Sequence, residues 1–157
     1  MNVTAVGWQW EAKWLWSASE DGTLRVWDIR VSGRASGVRE YKAKHAINDA
    51  CLDPEQCLLT SVDDRGVLRT WDLAGKECVS ELVPDEIKSS PLPVPLQTVS
   101  CSPDGTFIAC CDSRVPFFFF RTLHQHHQRT QLFRVGYTFI ESLIINWSSL
   151  GRLIQPI

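Results

Sequence analysis

Ser17-Ala-Ser-Glu-Asp-Gly-Thr-Leu-Arg-Val-Trp27-Asp28 and Ser61-Val-Asp-Asp-Arg-Gly-Val-Leu-Arg-Thr-Trp71-Asp72 are two copies of one pattern, set 44 residues apart without a gap. The same offset lays Val3 on Ile47, Gly22 on Gly66, Leu24 on Leu68 and Arg25 on Arg69. Each copy reads as strand, tight turn, strand. Leu15 and Ser17 lie on one strand, Glu20-Asp21-Gly22 makes the turn, and Leu24 to Trp27 alternates again. Val3, Val6 and Trp8 mark a strand ahead of these, with Trp8 expected in the core, and Val38 to Ala43 an outer one. The second copy repeats the scheme with Ile47, Ala50 and Leu52, then Leu59 and Ser61, the turn from Asp63 to Gly66, Leu68 to Trp71, and the outer strand Glu77 to Val83.

A period of about 40–45 residues closing on Trp-Asp is the signature of a WD-repeat propeller, in which each repeat forms one four-stranded blade. The expected fold is therefore all-β: a WD-repeat β-propeller segment with blades at 2–43 and 44–90 and part of a third at 91–114. The third copy starts at Thr98-Val-Ser-Cys-Ser-Pro-Asp-Gly105, now at an offset of 49, and Pro91-Leu-Pro-Val-Pro95 supplies the extra residues as a stiff connector. Ile108-Ala-Cys110 matches the strand of Leu59, and the offset of 49 would put Phe120 where Trp71 stands. Pro116 and the missing turn glycine make Val115 to Phe120 a poor third strand. From about Val115 to the end, 115–157, the turn glycine, the Trp-Asp pair and the alternation vanish together, and an irregular tail of unassigned structure is expected. Arg114-Val115 followed by the run Phe117 to Phe120 fits readthrough of an unspliced intron; the competing account is a shortened protein whose tail covers an open flank. Two and a half blades leave both flanks bare, so the chain alone is expected to associate.

Lys and Arg number 16 against 18 Asp and Glu, a net charge of -2, so no global basic field is available and nucleic acid is excluded as a general partner. No phosphate loop, nucleophile elbow or His-Glu-x-x-His is present, so neither an enzyme nor a cofactor is expected. His124-Gln-His-His127 sits in a polar stretch and reads as solvated surface rather than a metal site. Arg134 and Glu141 interrupt the most apolar stretch, Leu132 to Trp147, so no membrane span is expected. The opening residues lack a secretory pattern, which points to a cytoplasmic chain with its six cysteines reduced and mostly buried, and discounts the triplets Asn2-Val-Thr4 and Asn146-Trp-Ser148 as glycosylation sites.

Asn2-Val-Thr-Ala-Val-Gly7, Ser19-Glu-Asp-Gly-Thr-Leu-Arg-Val-Trp-Asp-Ile-Arg30 and Glu81-Leu-Val-Pro84 resemble the family of small WD-repeat subunits of the target-of-rapamycin kinase complexes, the G-protein beta-subunit-like proteins. The likeness runs over 2–112. It implies a seven-bladed propeller of which this chain would begin at the third blade and lose the match in the fifth. It also implies a non-enzymatic role: docking on and stabilising the kinase in nutrient and growth signalling, with the kinase and its complex subunits as partners. The WD pattern implies a buried hydrogen-bonded set of Ser17, Asp21 and Trp27, followed by Asp28, in the first blade. In the second it implies Ser61 and Trp71, followed by Asp72, with Arg65 at the turn-Asp position and Asp63 or Asp64 left to substitute. Neither copy has the Gly-His dipeptide, and His45 reads as an ordinary loop histidine.

Among the four tryptophans of the first hairpin, Trp10 lies at a strand end and is the candidate partner contact, since Trp is enriched at binding hot spots. Arg30 is the second candidate. Trp27-Asp28-Ile29-Arg30 matches the element by which certain WD-repeat proteins dock a cullin ubiquitin-ligase adaptor, the alternative functional reading.

Overall fold

The computed structural model of the 157-residue chain describes residues 1–30, 39–112, 118–125 and 128–135. Strands β1 (Val3–Trp8), β2 (Trp14–Ser19), β3 (Thr23–Asp28) and β4 (Arg39–Lys42) form one antiparallel sheet in sequential order, blade 1. Blade 2 repeats it with β5 (Ile47–Leu52), β6 (Leu58–Asp63), β7 (Leu68–Asp72) and β8 (Glu77–Leu82). One helical turn, α1 (Asp85–Lys88), precedes blade 3, built from β9 (Leu96–Cys101), β10 (Phe107–Asp112), β11 (Phe118–Gln125) and β12 (Gln128–Val135). The all-β propeller reading holds: antiparallel four-stranded sheets follow one another along the chain.

The third sheet also goes further than the sequence reading, which gave Val115 to Phe120 only as a poor third strand and left the rest of 115–157 without assigned structure. Phe120 pairs with Ile108 as Trp71 pairs with Leu59, the register set by the offset of 49. The physical reason is that phenylalanine and threonine favour a pleated surface even where the turn glycine and the Trp-Asp pair are gone. The remainder of the tail, 136–157, lies outside the described residues.

Repeat geometry recurs in detail. In every blade the first strand steps over one residue in pairing with the second: Thr4, Asn48 and Gln97. In two of the three that bulged residue reaches the neighbouring blade, Thr4 Oγ1 donating to the Ile47 carbonyl at 2.9 Å and Asn48 Nδ2 to the Leu96 carbonyl at 2.7 Å. Asp49 reinforces the second junction by accepting from the Thr98 hydroxyl and the Val99 amide. Ala12, Gln56 and Gly105 share one position in the turn between the first two strands, and all three have positive φ, of 52°, 60° and 70°.

Two cores lie between the blades. Trp16, Ala18, Leu24, Val26 and Tyr41 of blade 1 meet Ile47, Ala50, Leu59 and Trp71 of blade 2, joined by Leu73. Val62 and Leu68 from the other face of blade 2 meet Val99, Ile108 and Cys110 of blade 3. The connector contributes too: Ile87 and Val94 are buried in this second core, and a Cβ at Gly66 would stand 2.5 Å from the Val94 carbonyl. Proline-rich though it is, the connector thus seals the turn of blade 2.

Two sequence expectations need correction here. Trp8 does not fill a core position: it is 61% exposed, with Val6 at 67%. It pairs with Leu15, so it points to the side of blade 1 away from Trp16 and from blade 2. Nor are the cysteines mostly buried, since Cys110 alone of the six is, while Cys57 and Cys78 are exposed. Those two sit near strand ends, Cys57 just ahead of β6 and Cys78 one residue into β8.

Candidate functional site

The Ser and Trp of each WD copy face one another across the second and third strands of their blade. Trp27 Nε1 donates to Ser17 Oγ at 3.1 Å, and Trp71 Nε1 to Ser61 Oγ at 2.9 Å. The turn carboxylates differ. In blade 1 Asp21 accepts from the Thr23 amide at 2.8 Å and from its hydroxyl, and these bonds hold the Asp21 carboxyl below its ordinary range. In blade 2 the substitute is Asp63, two positions earlier in the repeat, accepting from the Arg65 and Val67 amides, each at 2.9 Å, and from Arg69. Asp64 takes no part in it. Asp28 and Asp72, after the tryptophans, cap the following turns by accepting from the Arg30 and Ala74 amides.

One repeated contact escaped the sequence reading. Arg25 donates to Glu40, and Arg69 to Glu81, both at 3.0 Å, tying the third strand to the fourth. The arginines were visible at the offset of 44; their glutamates were not, because the fourth strands do not align without shifting register. In blade 2 this arginine is buried, its side chain 4% exposed between Asp63 and Glu81. These contacts build rigid blades rather than a reactive centre. Among the described residues no three His, Cys, Asp or Glu side chains converge on a metal-sized site, and no helix is long and apolar enough to cross a membrane. His45 is half-buried and lines a shallow cleft with Arg65, Ile87 and Pro93. Of the histidine run, His124 ends within β11, and His126 and His127 lie outside the described residues.

Trp10 and Arg30 stand at the same end of blade 1. Trp10, 79% exposed, belongs to the turn between β1 and β2, which Gln9 closes by accepting the Ala12 amide on its carbonyl and the Lys13 amide on its side chain. Arg30 follows β3, whose end pairs with the start of β2 at Trp14. Its guanidinium forks onto Asp28 at 2.9 and 2.6 Å, an arrangement that holds the Asp28 carboxyl down at about 2. Beside it a cleft of about 800 Å³ opens between blades 1 and 2, lined by Trp14, Asp28, Arg30, Arg39, Cys57 and Lys76. Arg39 is anchored there, donating to the Leu73 carbonyl at 2.6 Å. The structure brings Arg30 into this cleft and leaves Trp10 outside its lining.

Comparison with known proteins agrees with the geometry. The family model described as WD domain, G-beta repeat matches residues 1–28. The target of rapamycin complex subunit wat1 of Schizosaccharomyces pombe is 35% identical over 131 residues, 83% of this chain and 38% of its own. The target of rapamycin complex subunit LST8 of Saccharomyces cerevisiae is 31% identical over 149 residues, 92% of this chain and 46% of its own. Subunit LST8-1 of Arabidopsis thaliana is 35% identical over 130 residues, 83% and 40% respectively. Matches of this extent have to continue past residue 115, into the strands that complete blade 3. The chain nonetheless spans less than half the length of these relatives. It is a run of WD-repeat propeller blades, similar along most of its own length to target of rapamycin complex subunits of the LST8 kind.

Proposed function

We propose that this chain is a non-enzymatic scaffold subunit of a target-of-rapamycin kinase complex, acting in the cytoplasm by docking on the kinase and stabilising it. The observation that carries the reading is the similarity to three proteins named as subunits of that complex, each over more than four fifths of this chain. The physical character of the molecule suits it. Blades tied by hydrogen bonds across their junctions hold end loops at fixed geometry, which lowers the ordering cost of binding. An exposed tryptophan at one such end is the kind of anchor that dominates interfaces.

Docking of a cullin ligase adaptor through Trp27-Asp28-Ile29-Arg30 is the weaker reading, because Arg30 would have to release Asp28 to reach a partner. Affinity capture of the tagged 157-residue chain from its native cells separates the two. Recovery of the kinase, reduced by Trp10→Ala, supports the proposal; recovery of a ligase adaptor without the kinase overturns it.

A further inference from the structure

One turn position reverses its charge between the blades. In blade 1 the turn between the second and third strands carries Asp21, which caps it by accepting from Thr23. The residue 44 positions on is Arg65. Capping of the blade 2 turn falls instead to Asp63, which accepts the Arg65 and Val67 amides, so the Arg65 side chain has no part in holding the turn. That side chain is exposed, and among the described residues its guanidinium makes neither an ion pair nor a hydrogen bond.

The backbone beneath it is fixed from both sides. The Asp64 amide donates to the Ala46 carbonyl at 3.0 Å, tying the turn to the loop that leads into blade 2. On the other side Gly66 lies against Ile87 and the Val94 carbonyl of the connector. Turn, loop and connector together wall the shallow cleft of about 440 Å³ that Arg65 shares with His45. The links β4 to β5, β6 to β7 and β8 to β9 all lie at one end of the antiparallel blades, opposite the end of Trp10 and Arg30. The blades meet through their sheet faces, so this end is not a junction between them.

Two kinds of chemistry line the cleft. His45, Arg65 and Lys88 supply nitrogen donors, and no carboxylate stands among the described lining residues. Lys88 is drawn to Asp85, 3.1 Å away and outside the lining. Ser90 Oγ is shielded from solvent without a protein partner, a state that an acceptor on a ligand relieves. Beside these donors Leu92 is 70% exposed between Pro91 and Pro93. A proline on each side restricts the backbone of this apolar rim, so little ordering is lost when a partner covers it.

Donors without acceptors beside a fixed apolar residue match the opposite arrangement on a ligand. An extended acidic segment has it, with carboxylates on one face and apolar side chains on the other. The chain as a whole carries a charge of -2, so it repels such a segment except where its cations gather.

We propose that this cleft docks an extended acidic segment of a partner protein, its carboxylates received by Arg65, Lys88 and Ser90 and its apolar side chains by Leu92 and the flanking prolines. The proposal goes beyond the subunit role above and is read in an assay without kinase, so either can fail alone.

The test is fluorescence anisotropy of a short fluorescein-labelled peptide alternating glutamate with leucine, titrated with the 157-residue chain at low salt. Saturable binding is expected. Arg65→Glu should weaken it about tenfold, since a like charge then faces the carboxylates, with the far-ultraviolet spectrum unchanged. Asp85→Asn should tighten it by freeing Lys88, and Leu92→Ser should weaken it. Lys13→Glu, the same charge reversal at the opposite end of blade 1, should leave it as it is. Absence of saturable binding overturns the proposal. So does an equal loss in Arg65→Glu and Lys13→Glu, equal binding of a peptide alternating serine with leucine, or binding confined to a phosphoserine and leucine peptide.

Discussion

Asp63 and Arg69 form an ion pair almost wholly withdrawn from water, their side chains 1% and 4% exposed. Asp63 also caps the turn between β6 and β7 through two backbone amides. Its loss therefore uncaps the turn and strips a buried guanidinium of one of its two carboxylates. Asp63→Ala is expected to cost about 3–5 kcal/mol, the range for breaking a buried pair from one side. The blade 1 counterpart, Asp21→Ala, removes a partly exposed cap and should cost about 1 kcal/mol. Urea titrations of the two variants check the ordering; equal losses would contradict it.

The same logic of coverage separates the two WD tryptophans. Trp71 is buried, meets Tyr41 edge to face at 5.9 Å and donates to Ser61. Trp71→Ala should cost about 3–5 kcal/mol. Trp27 makes the same serine bond on a half-open face, so Trp27→Ala should cost less. Arg30→Ala removes an exposed pair with Asp28 and should lower the denaturation midpoint only slightly, and less than Trp71→Ala, while altering partner capture.

How much of this was legible beforehand follows from what each signal depends on. The offset of 44 located both Ser–Trp pairs and the tight turns because these are contacts within one blade, made by residues about ten apart. The exposure of Trp8 was not legible, because the core position of a propeller strand is created by the neighbouring blade, and strand alternation alone cannot say which of two faces is covered. The same limit hid the partners of Arg25 and Arg69 in the irregularly spaced fourth strands. It also left β11 and β12 unassigned, since β11 is placed by pairing with β10 and β12 by pairing with β11 rather than by a motif of their own. Asp63 and Asp64 could not be told apart by spacing; only the turn geometry selects Asp63.

Ala12 and Gln56 occupy left-handed backbone at the position that blade 3 gives to Gly105. An L-residue with a Cβ is strained there, and glycine relieves the strain at some entropic cost in the unfolded chain. Ala12→Gly and Gln56→Gly should each stabilise the fold by about 0.5–1 kcal/mol. Gly66→Ala goes the other way, because its φ is +78° and the new methyl group would press on the Val94 carbonyl and Ile87. Thermal melts of the three variants should shift in these opposite directions.

Acid should loosen two exposed turns together. Asp28, paired with Arg30, and Asp104, which accepts from Ser102 and Thr106, are both held at about 2 against an ordinary 3.8. A carboxyl with a depressed folded-state value adds stability above its unfolded value, and that stability is lost as pH falls through the folded one. The urea midpoint should therefore be flat with respect to these groups above about pH 4 and fall between about pH 4 and 2. Asp104→Asn should flatten part of that fall, and a variant with an undiminished acid limb would contradict the assignment.

The account rests on blade 2 being packed on both faces, by blade 1 on one side and by blade 3 with its connector on the other. Regions with the most buried contacts open at the highest free energy, so amide exchange reads this directly. Native-state hydrogen exchange followed by mass spectrometry should find peptides from β6 and β7 exchanging slowest and those from β1, on the bare flank, markedly faster. Uniform protection across the blades, or slowest exchange in β1, would contradict the account.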